Sequence, residues 1–491
     1  MESSDAFPNS VKLHSHDKQG TEIETFSSSI PIQNLVADVL STIFRFCVPD
    51  SERGIDPITP CRRCAPFNIS QVCREWRRLA LADSNLWTTI CIELAEQKIE
   101  AHLATLDRYL ERSNDRPLSM EIHFEWVNRN WSISGWSRRT DLGASEDPIY
   151  RNWDRVVKTQ FRWKSLKLRA VIGLGPALAV MNTPILEDFD IQIPSYSSCL
   201  PFKVCLENMP RIRNLKVNGS VDLVFTGSKL ANLQTVSIYL HETKEGISTE
   251  EFWQLISSAP SLRKISLAVI DLDSHSAIDL KPVLLKDLQH LVIRITSPVH
   301  AVAIFNGLTL PRLDTLHAFI PTLDGHGPGI AEMIRRSDAP ITDLRSGMGG
   351  HHGELRSCLR LCSGLKRLAL QDISTTADIM ADLTFDRGDN LPNLCQHLEI
   401  IELGQNSEFF EWKESFETML VSRWRQVAPE ARCLKRVLFL FFGVYESEPE
   451  DPDLDLYPGH GPNSSRPHGP ELQSCISEGL KVIEIEDVLL L

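Results

Sequence analysis

The sequence predicts an α/β protein: a small all-helical module followed by a solenoid of parallel strands with helices on the convex side. Three observations carry that reading. A unit of the form apolar-x-x-apolar-x-apolar, often led by a Pro, recurs about a dozen times between Trp163 and Ile485. Helical stretches such as Glu250 to Ser258, Ile330 to Arg336 and Phe416 to Trp424 lie between the copies, and strand–helix alternation favours parallel pairing. Two amphipathic helices precede the repeats. The 491 residues would otherwise suggest two to four domains, but a repeat array extends one of them.

Residues 1–29 are polar and Ser-rich with no apolar period, which predicts a disordered arm. From Leu35 the chain places apolar residues at 36, 39, 40, 43 and 44, one stripe of a helix. A Pro/Gly/charge segment, Pro49 to Pro66, interrupts it. A second helix is predicted over Ile69 to Ala82, and Leu86-Trp87 opens an extended segment through Ile90 and Ile92. These elements make a helical domain at 30–93. A linker helix follows within 94–116, with Ile99, Leu103, Leu106 and Leu110 on one face and Asn114 to Pro117 closing it. Leu118, Met120, Ile122 and Phe124 then alternate as one face of a strand, so the solenoid is placed at 117–491.

The repeat reads Trp163/Leu166/Leu168, Leu186/Phe189/Ile191, Ile212/Leu215/Val217, Leu233/Val236/Ile238 and Leu262/Ile265/Leu267. It continues as Leu288/Leu291/Ile293, Leu313/Leu316/Ala318, Ile341/Leu344/Ser346 and Leu365/Leu368/Leu370. Three looser copies begin at Leu398, Leu434 and Leu480. The mean period of the first nine is about 25 residues, within the range of leucine-rich repeats. Two apolar residues separated by one share a side of a short strand, and the first apolar position closes the turn into it. No single copy buries its own apolar face, so stability comes from stacking. Residues flanking the second apolar position then line the concave face. Lys167, Asp190, Lys216, Ser237, Lys264, His290, His317, Arg345 and Arg367 are the candidate contacts for a protein substrate of unknown identity.

The net charge of −14 is uneven: residues 446–491 carry 2 basic and 11 acidic side chains, chiefly in Glu446 to Asp455. That cluster predicts an acidic disordered insertion at 446–475. The remainder is nearly neutral, which argues against nucleic acid as a partner. No apolar run is long enough to span a membrane, and no secretory signal opens the chain. With twelve sparse cysteines this predicts an intracellular protein, cytoplasmic or nuclear.

Motifs for catalysis are lacking. Cys61-x-x-Cys64, with Cys47 and Cys73, is a weak zinc signal, and the latter two sit in apolar helical patterns. Gly347 to Glu354 lacks the Lys-Ser/Thr of a phosphate loop and reads as an inter-repeat loop. Asp451-x-Asp453-x-Asp455 fails as a calcium loop because Leu456 and Pro462 occupy the Gly and Glu positions. The reading is a non-enzymatic protein without cofactor. Trp126, Trp131 and Trp136 read as core beneath a long loop.

The N-terminal block carries Leu35-x-x-Asp38-Val39-Leu40-x-x-Ile43-Phe44, then Val72-Cys73-Arg74-x-Trp76-Arg77-x-Leu79-Ala80, then Leu86-Trp87. This series resembles an F-box. Followed by degenerate leucine-rich-repeat-like copies, it is similar to the F-box proteins of mushroom-forming fungi. The resemblance implies a substrate receptor of an SCF-type cullin–RING ubiquitin ligase, with the F-box docked on a Skp-type adaptor. It implies that Leu35, Leu40, Ile43, Phe44 and Trp87 face the adaptor, and that Val39, Val72 and Trp76 form the module's core. Val36 stands where the family has Pro, and the Pro49 to Pro66 insert is a second departure. The alternative is a non-ligase scaffold whose N-terminal helices only cap the solenoid.

Overall fold

A computed structural model describes residues 35–48, 65–93, 99–123, 155–169, 182–192, 202–219, 221–224, 229–239, 247–269, 280–320, 327–348, 352–371, 376–385, 394–405, 409–425, 432–441 and 468–485. The helices are α1 (Ala37–Cys47), α2 (Ile69–Val72), α3 (Arg74–Ala82), α4 (Ile99–Arg112), α5 (Thr249–Ser258) and α6 (Pro298–Gly307). They continue as α7 (Ile330–Ser337), α8 (His352–Leu361), α9 (Thr376–Leu383), α10 (Phe409–Arg425) and α11 (Pro470–Ser477). The strands are β1 (Thr89–Glu93), β2 (Leu118–His123), β3 (Trp163–Arg169), β4 (Asp188–Gln192), β5 (Phe202–Cys205) and β6 (Asn214–Asn218). Next come β7 (Val221–Val224), β8 (Thr235–Tyr239), β9 (Lys264–Val269), β10 (Val283–Leu284), β11 (His290–Ile295) and β12 (Leu308–Thr309). The series ends with β13 (Thr315–Ile320), β14 (Asp343–Met348), β15 (Arg367–Leu370), β16 (Ile400–Gln405), β17 (Arg436–Phe441) and β18 (Lys481–Ile485).

The fold is mixed α/β, built on a 14-stranded sheet in which strands add in chain order. Pairing is parallel throughout that sheet. The strands skipped by that order form two small parallel pairs, β5 with β7 and β10 with β12. Every copy of the sequence repeat supplies one strand of the long sheet, the three looser copies included.

The repeat explains why. Its apolar residues, such as Leu166 and Leu168, Leu215 and Val217, or Leu291 and Ile293, are fully buried on one face of the sheet. Its first apolar residue closes a tight turn: Leu233 N–H donates to Leu230 C=O at 3.1 Å, and Leu365 to Cys362 at 3.1 Å. The next residue donates its N–H to the carbonyl of its counterpart one repeat earlier, as from Arg213 to Glu187 (2.7 Å), Gln234 to Arg213 (2.8 Å) and Arg263 to Gln234 (2.7 Å). The same bond joins each pair of successive copies from Lys164 to Lys481. Buried backbone groups need partners, and the neighbouring repeat supplies them.

Helices fill the other layer where the inter-strand segment is long enough. A capping box starts α5: the Ser248 hydroxyl accepts from Glu251 N–H (3.2 Å) while Glu251 accepts from Ser248 N–H (2.8 Å). Between α9 and α10 the buried Arg423 is a polar staple. It donates to the carbonyls of Leu383 (2.8 Å), Cys395 (3.0 Å) and Leu394 (2.7 Å), and its guanidinium stacks on Phe385 at 4.3 Å. Burial pushes its pKa down to about 10, so it still carries its charge at neutral pH.

Several expectations change. The sheet begins at Thr89, inside the region assigned to the helical domain, and α4 is the crossover between β1 and β2 rather than a linker. The predicted helix over 69–82 is two helices, because Cys73 is extended (φ −154°, ψ 174°) and its Sγ caps α3 by accepting from Trp76 N–H at 3.4 Å. Residues 470–475, expected within the acidic disordered insertion, are helical because α11 starts at Pro470. Residues 1–29, Cys61, Cys64, the tryptophans at 126, 131 and 136, and Glu446 to Asp455 lie outside the described residues. No helix among the described residues is long and apolar enough to cross a membrane.

The Arg423 staple yields a prediction. Arg423→Met keeps much of the volume but strands three buried carbonyls, each costing about 1–3 kcal/mol. Urea unfolding of the variant should show stability reduced by at least ~3 kcal/mol. A loss under ~1 kcal/mol would mean that the carbonyls find other partners.

Candidate functional site

Two surfaces stand out: one on the N-terminal helices and one on the polar face of the sheet. The helical module is anchored by Trp87, which is fully buried. Its indole N–H donates to Ala80 C=O at 2.8 Å, and its ring meets Phe67 (5.4 Å) and Tyr109 (5.3 Å) edge-on while Arg112 stacks over it at 4.3 Å. Tyr109 and Arg112 belong to α4, so this tryptophan joins the module to the first crossover of the array.

The helical phase of α1 sorts its apolar residues differently from the sequence expectation. Leu40 and Phe44 point inward, at 2% and 1% exposure, and Phe44 packs on Trp76 with ring centroids 4.8 Å apart. Leu40, Phe44 and Trp87, expected on the adaptor side, are therefore core residues of the free chain. Leu35 and Ile43 are half-buried. Trp76, expected in the core, is half-buried and packs against it. Val39 and Val72, expected inside, are 43% and 60% exposed. The reason is periodicity: residues three and four apart share a helical face. Val36, Val39, Ile43 and Phe46 therefore form one stripe, adjacent to the Leu40–Phe44 stripe that is turned inward. Val36 is 66% exposed and Phe46 86%. Sequence reading missed Phe46 because it lies outside the motif.

On the sheet, the nine candidate contacts all fall on the polar face, in two neighbouring rows. Parallel register places Lys167, Asp190, Lys216 and Ser237 in one row across β3, β4, β6 and β8. His317 and Arg345 continue that row on β13 and β14. Lys264 and His290 are register partners in the adjacent row, which Arg367 shares with Asp343. Sequence reading missed Glu121 and Glu402, which sit in the same row as Lys167 and Arg345, on β2 and β16. Glu402 comes from one of the looser copies, and Glu121 precedes the recognised repeats.

The charges interleave. Lys167 Nζ lies 3.8 Å from Glu121, and Lys216 Nζ lies 3.8 Å from Asp190. Farther along, Glu402 is buried and bonds Arg367, with Arg345 at 3.3 Å. Asp343 lies 3.4 Å from His317 Nε2 and 3.9 Å from Arg367. Burial raises the pKa of Asp343, but the hydrogen bond from His317 and the charges of His317, Arg367 and Arg345 outweigh it and hold it below its ordinary value. For Asp190 the balance reverses: burial raises the pKa, and Lys216, Lys167 and Arg169 do not overcome it. Glu121 is pushed up by burial, yet its bond with His123 and the charges of Lys167, His123 and Arg169 keep it low.

Among the described residues, several buried side-chain atoms have no hydrogen-bond partner, and Asp190 Oδ1, Asn218 Oδ1 and Arg345 Nε are three of them on this polar face. Unpaired buried polar atoms are costly, so each needs a partner from solvent or from a bound molecule. The face is suited to binding an extended or irregular polar surface.

Comparison of the chain with protein-family models finds no match, and a search of curated proteins returns none either.

The two aspartates should respond to pH in opposite senses. Asp343 has a lowered folded pKa, so its stabilisation is present above the unfolded value of about 3.9 and fades as pH falls through the folded value. Asp190 has a raised folded pKa, so its cost to stability grows as pH rises above the unfolded value and is full above the folded one. Thermal unfolding should therefore show Asp343→Asn less stable than the parent at pH 7 and Asp190→Asn more stable. The Asp190 difference should shrink as pH falls towards about 4, and the Asp343 difference only as pH falls below about 4. Equal signs for the two variants would contradict the assigned causes.

Proposed function

We propose that this protein is the substrate receptor of an SCF-type cullin–RING ubiquitin ligase, docking on a Skp-type adaptor through its N-terminal helices. A protein substrate is then held on the polar face of the repeat sheet. One observation carries the reading: the exposed apolar stripe of α1, with Phe46 86% and Val36 66% exposed. A module that merely capped a repeat array would turn a polar face outward. Here one stripe of α1 packs inward, with Phe44 on Trp76 of α3, and the adjacent stripe offers apolar surface to a partner. The motif resemblance at Leu35 to Phe44, Val72 to Ala80 and Leu86-Trp87 supplies the identity of that partner as a Skp-type adaptor.

The scaffold alternative has its own support in Trp87, whose packing on Tyr109 and Arg112 joins the module to the first crossover as a cap would. Capping by Trp87 and docking by the α1 stripe use different residues, so they are separable by mutation. Val39→Asp combined with Phe46→Asp should weaken binding of a purified Skp-type adaptor by more than ~30-fold, the effect of losing one or two interface anchors of about 2 kcal/mol each. Its thermal unfolding should match the parent. Phe44→Ala, by contrast, should destabilise the module by ~3 kcal/mol. If the unmodified chain captures no Skp-type adaptor in a native pull-down, the ligase reading is lost and the scaffold reading stands.

A further inference from the structure

The N-terminal end of the polar face carries a different chemistry from the rest. Cys91 on β1 and Glu121 on β2 are register partners on adjacent parallel strands. His123 follows Glu121 by two residues, so all three side chains leave the same face of the sheet. One potential ligand atom from each lies within 4.8 Å of the other two. His123 and Glu121 are 8% and 13% exposed, and His123 Nε2 is 3.0 Å from Glu121 Oε1. The supporting strands are rigid, because Ile90, Ile92, Met120 and Ile122 are buried on the opposite face.

We propose that Cys91, Glu121 and His123 form a binding site for a zinc-class divalent transition metal. Thiolate, imidazole and carboxylate together suit a borderline ion of this kind, whereas calcium and magnesium take oxygen donors. The size is right. Metal–ligand bonds of about 2.0–2.3 Å in a tetrahedral site put ligand atoms about 3.3–3.8 Å apart, so a shift of at most about 1.5 Å suffices for atoms that lie within 4.8 Å of one another here. Such a shift is within reach of side-chain rotation alone.

A purely electrostatic role for Glu121 would account for its contacts with His123 and with Lys167 at 3.8 Å. It gives no reason for a thiol at the register position facing Glu121. In the metal-bound form the Cys91 thiol releases its proton to solvent, His123 binds as neutral imidazole, and Glu121 exchanges its contacts for the ion. Three protein ligands leave a fourth position, which is the open type of zinc site. The ion would tie β1 to β2 where the helical module meets the sheet.

Titration of the full-length chain with Co²⁺ tests the site. The expected result is one ion per chain, with a thiolate-to-cobalt absorption band of one-thiolate intensity that Zn²⁺ abolishes by displacement. Cys91→Ser and His123→Gln should each weaken binding by more than about tenfold with circular dichroism unchanged. The double variant Cys61→Ser/Cys64→Ser should bind as the parent does. No binding by the parent, a band of two or more thiolates, or binding that survives Cys91→Ser would each overturn the proposal. Because the spectrum of the parent counts thiolates directly, the test holds whether or not the Cys91 variant folds.

Discussion

Everything in this structure depends on the backbone hydrogen bond that each repeat donates to its predecessor. A single strand–turn unit has one apolar side and an unpaired row of N–H and C=O groups, and neither can be satisfied within 25 or so residues. The link from the residue after each first apolar position to its counterpart one repeat earlier aligns both at once. Once Gln234 N–H is on Arg213 C=O, Val236 and Ile238 fall into register with Leu215 and Val217. The register of the polar side follows with no further information. Side chains reinforce the same line in places, as where the Thr342 hydroxyl donates to Asp314 at 2.6 Å and Lys435 meets Glu399 at 2.6 Å.

That constraint also explains the tolerance of the array for irregular segments between strands. The stacked turns and the apolar face are fixed, so the return path needs only to span the layer. It does so as a helix between β8 and β9, as the short β7 between β6 and β8, and as the long α10 between β16 and β17. Where the return path is helical, adjacent helices need polar links, and Arg423 provides one by gathering three carbonyls. At the N-terminal end no preceding repeat exists among the described residues. Trp87 fills that role, covering the first crossover with an indole whose one polar atom is already satisfied by Ala80.

The long sheet is legible in the sequence because the apolar spacing is set by burial on one face, and burial leaves residue types that can be read directly. Each copy from Trp163 to Leu480 forms a strand. The polar face is legible only by position. Lys264 and His290 are face residues as expected, yet nothing in their own repeats says that they are partners of each other rather than of Ser237. The first strand escapes recognition as a member of the array because its return path departs from the period: Ile99–Arg112 reads as an independent helix. In the helical module, motif matching puts Val39 and Val72 inside and Leu40 outside. A helix with apolar residues at 36, 39, 40, 43, 44 and 46 has two candidate inward faces, and only the position of Trp76 and the array selects between them.

The two candidate binding surfaces then rest on opposite physics. On the polar face, acids and bases alternate from Glu121 through Lys167 and Asp190 to Lys216, and Arg345 and Arg367 share Glu402. A face that neutralises itself exerts little long-range field, so a partner is not drawn there by net charge. Selection must come from short-range matching to atoms that the ladder leaves unpaired, such as Asp190 Oδ1 and Arg345 Nε. Such atoms penalise a poorly matched partner more than they reward a good one, which favours specificity over strength. The α1 stripe works the other way. Phe46 and Val36 gain chiefly by leaving water, a drive that is strong but undiscriminating. A constant partner on the apolar stripe and a selected one on the polar face is therefore the division of labour to which the two chemistries are suited.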